Sequence, residues 1–182
     1  MGEAEAKPFV DAGEEHLRTG EYVAAERAFR DAIAAAPDSP LAHSKLGVAL
    51  AHQGQLDAAI AEFSRAVAIH PGYAPAYSNL GNAYREKRMT AEAVAAYERA
   101  VALDPDYWIA HQNLGALYKQ MGRVGEAVEH FKKATRLSMR QPTGSGAAGT
   151  GKRRRLGCLP GLIAAGAAVA LLAGILRSSP LL

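Results

Sequence analysis

The sequence predicts an all-α chain: a solenoid of four stacked helical hairpins, followed by one C-terminal transmembrane helix. Three observations predict it. A 34-residue pattern recurs four times, without insertion or gap, across residues 6–141. Within each copy, small residues, aromatic residues and turn-formers hold the same positions. Near the end of the chain, residues 156–176 form a run of 21 residues without a charge. A period of about 20–50 residues marks units that bury their apolar side only by stacking on a neighbour.

The third copy, residues 74–107, is the clearest: APAYSNLGNAYREKRMTAEAVAAYERAVALDPDY. It carries Tyr77, Leu80, Gly81 and Tyr84, then Ala93, Tyr97 and Ala100, and closes on Pro105. Residues 40–73 repeat the pattern with His43, Leu46, Gly47, Leu50, Ala59, Phe63, Ala66 and Pro71. Residues 6–39 supply Phe9, Ala12, Gly13, His16, Ala25, Phe29, Ala32 and Pro37. Residues 108–141 supply His111, Leu114, Gly115, Tyr118, Ala127, Phe131 and Ala134, with Met139 in place of the closing proline. This pattern resembles the tetratricopeptide repeat, a helix–turn–helix whose signature is Trp-x2-Leu-Gly-x2-Tyr, Ala-x3-Phe and Pro. The resemblance implies an α-solenoid that binds proteins or peptides and is not an enzyme.

Each fixed position has a physical reason. Gly13, Gly47, Gly81 and Gly115 on the first helices, and Ala25, Ala59, Ala93 and Ala127 on the second, place small residues on both helices of a hairpin, so the two backbones are expected to approach closely. Phe29, Phe63, Tyr97 and Phe131 are expected to fill the space between neighbouring hairpins. Gly20, Gly54 and Gly122 suit turns that need a positive φ. Arg88 stands at that place in the third copy, so a slightly different turn is expected there. Pro37, Pro71 and Pro105 end the second helices, because proline has no N–H and restricts the residue before it.

In arrays of the resembled family the first helices line a concave groove. The phase puts Lys7, Val10, Asp11, Glu14 and Arg18 there from the first copy. Leu41, Ser44, Lys45, Val48 and His52 follow from the second. The third contributes Ser78, Asn79, Asn82, Arg85 and Glu86, and the fourth Ile109, Gln112, Asn113, Ala116, Lys119 and Gln120. Asn79 and Asn113 share one phase. An amide side chain donates and accepts at once, as a peptide backbone requires, and the pair resembles a two-rung asparagine ladder. Lys45, Asn79, Asn82, Arg85, Asn113 and Lys119 are the candidate peptide contacts. The family's carboxylate clamp for chaperone tails needs lysine, asparagine and arginine. The matching positions hold Val10, Glu14, Lys45, Pro75 and Asn79, which make no clamp.

No catalytic, cofactor or metal constellation is visible. His16, His43, His52, His70, His111 and His130 fall at scattered phases, and His43 and His111 share the phase of Tyr77 as packing residues. Residues 146–152, GAAGTGK, mimic a phosphate-binding loop, but Arg153 stands where a Mg²⁺-holding hydroxyl belongs and no strand precedes it. No small-molecule substrate is expected.

Charge is unevenly spread. Residues 1–141 hold 16 Lys and Arg against 18 Asp and Glu, a net −2, while residues 142–182 hold five cations and no acid. A basic tail on an acidic body argues against nucleic-acid binding. Residues 1–5 form a short leader without the basic start and apolar core of a secretory signal. Residues 142–155 read as a Gly/Ser-rich linker ending in the cations Lys152, Arg153, Arg154 and Arg155. Residues 156–176 would span about 31 Å as a helix, close to the hydrocarbon thickness. Residues 177–182 are a short tail holding only Arg177 as a charge. The charge asymmetry sets the repeats on the cytoplasmic side, with a bacterial inner membrane favoured over an organelle surface. Cys158 is the sole cysteine, so no intramolecular disulfide forms. The final hairpin lacks a polar cap, which opens Val124, Val128 and Phe131 to a partner or a second copy. The expected function is a membrane-tethered adaptor; an accessory subunit placing an enzyme at the membrane, or a self-assembling protein, is the alternative.

Overall fold

A computed structural model describes residues 2–140. Eight helices follow in order: α1 Glu3–Thr19, α2 Tyr22–Ala35, α3 Pro40–His52, α4 Leu56–Ile69, α5 Ala74–Glu86, α6 Thr90–Leu103, α7 Trp108–Gln120 and α8 Val124–Arg140. They pair as four hairpins, and each even helix packs on the odd helix that follows it. The odd helices also touch one another from hairpin to hairpin; the even ones do not. Closer spacing on one side bends the stack, so the odd helices line its inner face.

The hairpins are held shut by aromatic rings on glycines. A Cβ built on Gly13 would lie 2.5 Å from Phe29, one on Gly47 2.6 Å from Phe63, and one on Gly81 2.5 Å from Tyr97. These contacts lie inside the hairpin and add to the expected place of the rings between hairpins. The next hairpin completes their burial. Phe29, Phe63 and Tyr97 are at most 2% exposed, whereas Phe131, with no further hairpin beyond it among the described residues, is half-buried.

The four turns share one geometry. The amides of Glu21, Gln55, Met89 and Arg123 each reach back five residues, to the carbonyls of His16, Leu50, Tyr84 and Tyr118, at 2.8–3.0 Å. That closure needs a left-handed residue. Gly20, Gly54 and Gly122 supply it at φ 77–82°, and Arg88 adopts the same region at φ 61°. The third turn keeps this closure, and the slight difference expected there is confined to its smaller φ.

Helix ends follow the local chemistry. Pro40 opens α3, where its missing N–H costs nothing, and Ser39 caps that helix by accepting from the Ala42 amide at 3.4 Å. α2, α4 and α6 stop two residues before Pro37, Pro71 and Pro105. With Met139 in that phase, α8 runs on to Arg140, past the point where the sequence pattern fades. α1 begins at Glu3, inside the leader, and includes Pro8.

The linker, Lys152, Arg153, Arg154, Arg155, Cys158 and the 156–176 segment lie outside the described residues. Among the described residues, no helix is long and apolar enough to cross a membrane.

Candidate functional site

The inner face is built from one polar module used twice. Ser44 on α3 and Ser78 on α5 are 3% and 1% exposed. Asn79 Nδ2 donates to Ser44 Oγ at 3.3 Å, and Asn113 Nδ2 donates to Ser78 Oγ at 3.5 Å. Tyr73 and Tyr107, on the loops ahead of α5 and α7, neighbour the same two serines. Serine, asparagine and tyrosine thus recur at a 34-residue interval and cross the α3–α5 and α5–α7 joints. Burial raises the pKa of both tyrosines, so their hydroxyls stay protonated and able to donate.

The candidate contacts separate by what already holds them. Asn79 gives one N–H to Ser44 and makes no other hydrogen bond among the described residues. Asn113 also donates to Asn82 Oδ1, at 3.2 Å. Asn82 Oδ1 accepts a second bond from the Tyr97 hydroxyl, at 2.7 Å. Both lone pairs of that oxygen are then used, so Asn82 braces α5 against α6 and α7 and offers a ligand only its NH₂. Burial pushes the Tyr97 hydroxyl up to about 12, so this brace holds across the neutral range. Lys45 is tied to Glu14 on α1 at 2.6 Å, which cancels its charge. Arg85 is half-buried and Lys119 exposed, and neither has an ion-pair partner among the described residues.

Three expected groove residues move inward. Val10 and Ser44 are buried, under the surface rather than on it, as is Ser78. The phase names the helix face, but adjacent odd helices pack on one another there and these side chains are covered. Tyr73 and Tyr107 were not among the expected contacts. Their shared phase was readable in the sequence, but the first copy holds Ser39 there and the fourth Gln141, which hid the pattern.

The histidines do more than pack. His43, 8% exposed, has Nδ1 2.7 Å from Glu62 and Nε2 3.0 Å from the Pro37 carbonyl. His111, 2% exposed, repeats this with Nε2 3.1 Å from the Pro105 carbonyl. Its Nδ1 lies 2.9 Å from Nδ1 of His130, which stands at the phase of Glu62. The carbonyl obliges His111 Nε2–H to donate, so in the neutral pair His130 Nδ1–H donates to His111 Nδ1. Burial, with Lys133 adding to it, lowers the pKa of both rings. Among the described residues, no group of three His, Cys, Asp or Glu side chains is placed to hold a metal.

Models described as tetratricopeptide repeat match residues 10–74, 74–107 and 96–129. The chain is a tetratricopeptide-repeat protein. No significant match is found among curated proteins. Solved structures do match. MamA (41–end) from Desulfovibrio magneticus RS-1 is 28% identical with a TM-score of 0.64, covering 76% of this chain and 78% of that one. PilF of Pseudomonas aeruginosa is 27% identical with a TM-score of 0.70, covering 76% and 64%. The first repeat domain of Spaghetti (RPAP3), bound to the HSP90 peptide SRMEEVD, is 23% identical with a TM-score of 0.62, covering 67% and 97%. At that identity the last likeness concerns the fold alone. Tetratricopeptide-repeat proteins are protein-binding scaffolds, typically non-enzymatic, and this chain is one of them.

Proposed function

We propose that this tetratricopeptide-repeat scaffold is an adaptor tethered to a membrane by residues 156–176, which takes an extended segment of a partner protein along its inner face. The observation that carries the binding half is the repeated serine–asparagine–tyrosine module. It sets amide and hydroxyl groups at one-repeat intervals on a face whose buried serines fix their direction. Pre-positioned polar groups lose little freedom on binding, which favours recognition of a peptide main chain. Arg85 and Lys119 add cationic points beside the module. The membrane half rests on the uncharged run after Lys152–Arg155 and on the charge asymmetry across it, which together set the repeats at the cytoplasmic face.

The test is affinity capture with the full chain in detergent, followed by mass spectrometry, comparing the native protein with Asn79→Ala plus Asn113→Ala. Each lost amide contact should weaken capture by about 1 kcal/mol, roughly fivefold, with the helical signal retained. Unchanged capture would reject the ladder. Release of the intact chain from membranes by alkaline carbonate would reject the anchor.

A further inference from the structure

The last helix presents a face unlike any other in the stack. In α4, Ile60, Phe63 and Val67 form an apolar row within the central core. On α8 the same phases hold Val128, Phe131 and Thr135; α7 is the only described helix that packs on α8, and it covers Phe131 only in part. Val124 is 62% exposed, Val128 42% and Met139 79%. The second half of α8 is also one-signed: residues 131–140 hold Lys132, Lys133, Arg136 and Arg140 and no acid. Lys132, Arg136 and Arg140 recur every fourth residue, so they form a row along one edge of the apolar stripe. Lys132 is bound to Glu129 at 3.1 Å but remains well exposed; Arg136 and Arg140 have no ion-pair partner among the described residues.

A second copy fits this face poorly. At the joint phases where α3 offers Ala42, Leu46 and Ala49, α1 offers Pro8, Ala12 and Glu15. Glu15 is paired with Arg18, and end-to-end stacking would bury that pair at a desolvation cost. Face-to-face pairing of two α8 helices would oppose two cation rows. An anionic bilayer satisfies both halves of the surface: apolar side chains enter the headgroup boundary and cations meet lipid phosphates. The chain leads the same way. From Arg140 an 11-residue stretch, 141–151, reaches the cations at 152–155 and then the uncharged 156–176 run.

We propose that the exposed face of α8 docks on an anionic membrane surface, with Val124, Val128 and Met139 at the headgroup boundary and Lys132, Arg136 and Arg140 on lipid phosphates. The proposal takes the nearness of a bilayer from the anchor reading above. Docking would hold the stack by its end rather than leave it on a loose tether.

The test uses the full chain with Cys158→Ser and Val128→Cys, carrying an environment-sensitive fluorophore at position 128. It is reconstituted on vesicles of phosphatidylcholine, alone or mixed with phosphatidylserine, containing nitroxide-labelled lipid, with Asp31→Cys on α2 as the control site. The expected result is flotation with both vesicles, several-fold stronger quenching at 128 on the mixed vesicles, and none at 31. Lys132→Glu with Arg136→Glu should remove the difference while circular dichroism stays unchanged. Flotation with both vesicles but no quenching overturns the docking, leaves the anchor standing and returns the face to a helix of another protein. Quenching with flotation on mixed vesicles alone supports docking and overturns the anchor. Flotation with neither overturns both. Equal quenching on both vesicles overturns an anionic-lipid site, and a blue shift without quenching that grows with protein density overturns it in favour of a second copy.

Discussion

Gly81→Ala tests the contact that closes the hairpins. The new methyl would sit 2.5 Å from Tyr97 Cε1, where ordinary contact begins near 3.4 Å, so the ring must move by most of an ångström. It has little room: Tyr97 is fully buried and its hydroxyl is held by Asn82 at 2.7 Å. Overpacking of this kind costs about 1–3 kcal/mol. Alanine's better helix propensity returns about 1 kcal/mol, leaving a net loss of up to about 2 kcal/mol. The matched control is Gly115→Ala, whose methyl would meet Phe131 at 3.1 Å and the Ala127 carbonyl at 3.2 Å. Phe131 is only half-buried and can give way, so propensity and crowding nearly cancel. Urea denaturation followed by circular dichroism, with amide exchange to locate the loss in α5 and α6, separates the two variants. Exchange is needed because arrays can melt locally rather than all at once. Equal losses in both variants would refute the argument that a pinned ring makes the glycine necessary.

Two further substitutions test the turn and the histidine pair. Arg88→Gly should raise stability by about 1 kcal/mol, because φ 61° strains any side chain while glycine adopts it freely; an unchanged or lower urea midpoint would contradict this. Acidification should weaken the last hairpin. His111 and His130 have lowered pKa values in the fold, so the unfolded chain takes up protons first and stability falls as pH drops below the ordinary histidine value, about 6.5. His130→Glu gives His111 the carboxylate that Glu62 gives His43, and the loss between neutral and acid pH should shrink by about 1 kcal/mol. Midpoints of thermal melting at pH 7 and pH 5 for both chains measure it, and an unaltered pH slope would remove the pair from the account.

The period, the glycines and the prolines were legible because each meets a requirement set within its own hairpin. A tight turn needs a left-handed residue, a close helix approach needs a missing side chain, and a helix stops short of proline. Arg88 marks the edge of that legibility. Local preference speaks against φ 61° for arginine, yet the repeated turn imposes it.

The site was legible only to the level of helix faces. Asn79 and Asn113 share a phase that could be counted, but their bonds to Ser44 and Ser78 join residues 35 positions apart, across a joint that no local pattern describes. The same holds for the commitment of Asn82 to Tyr97 and Asn113, for the pairing of His111 with His130, and for the salt bridge that neutralises Lys45.

From composition and periodicity alone, the protein's class follows: helical hairpins that must stack, an acidic repeat body and a basic, uncharged-span tail. Which polar groups are spent inside the stack and which are left for a partner was decided by tertiary packing. Hydrogen bonds and burial depend on distances between helices, and those distances emerge only when the hairpins have closed on one another.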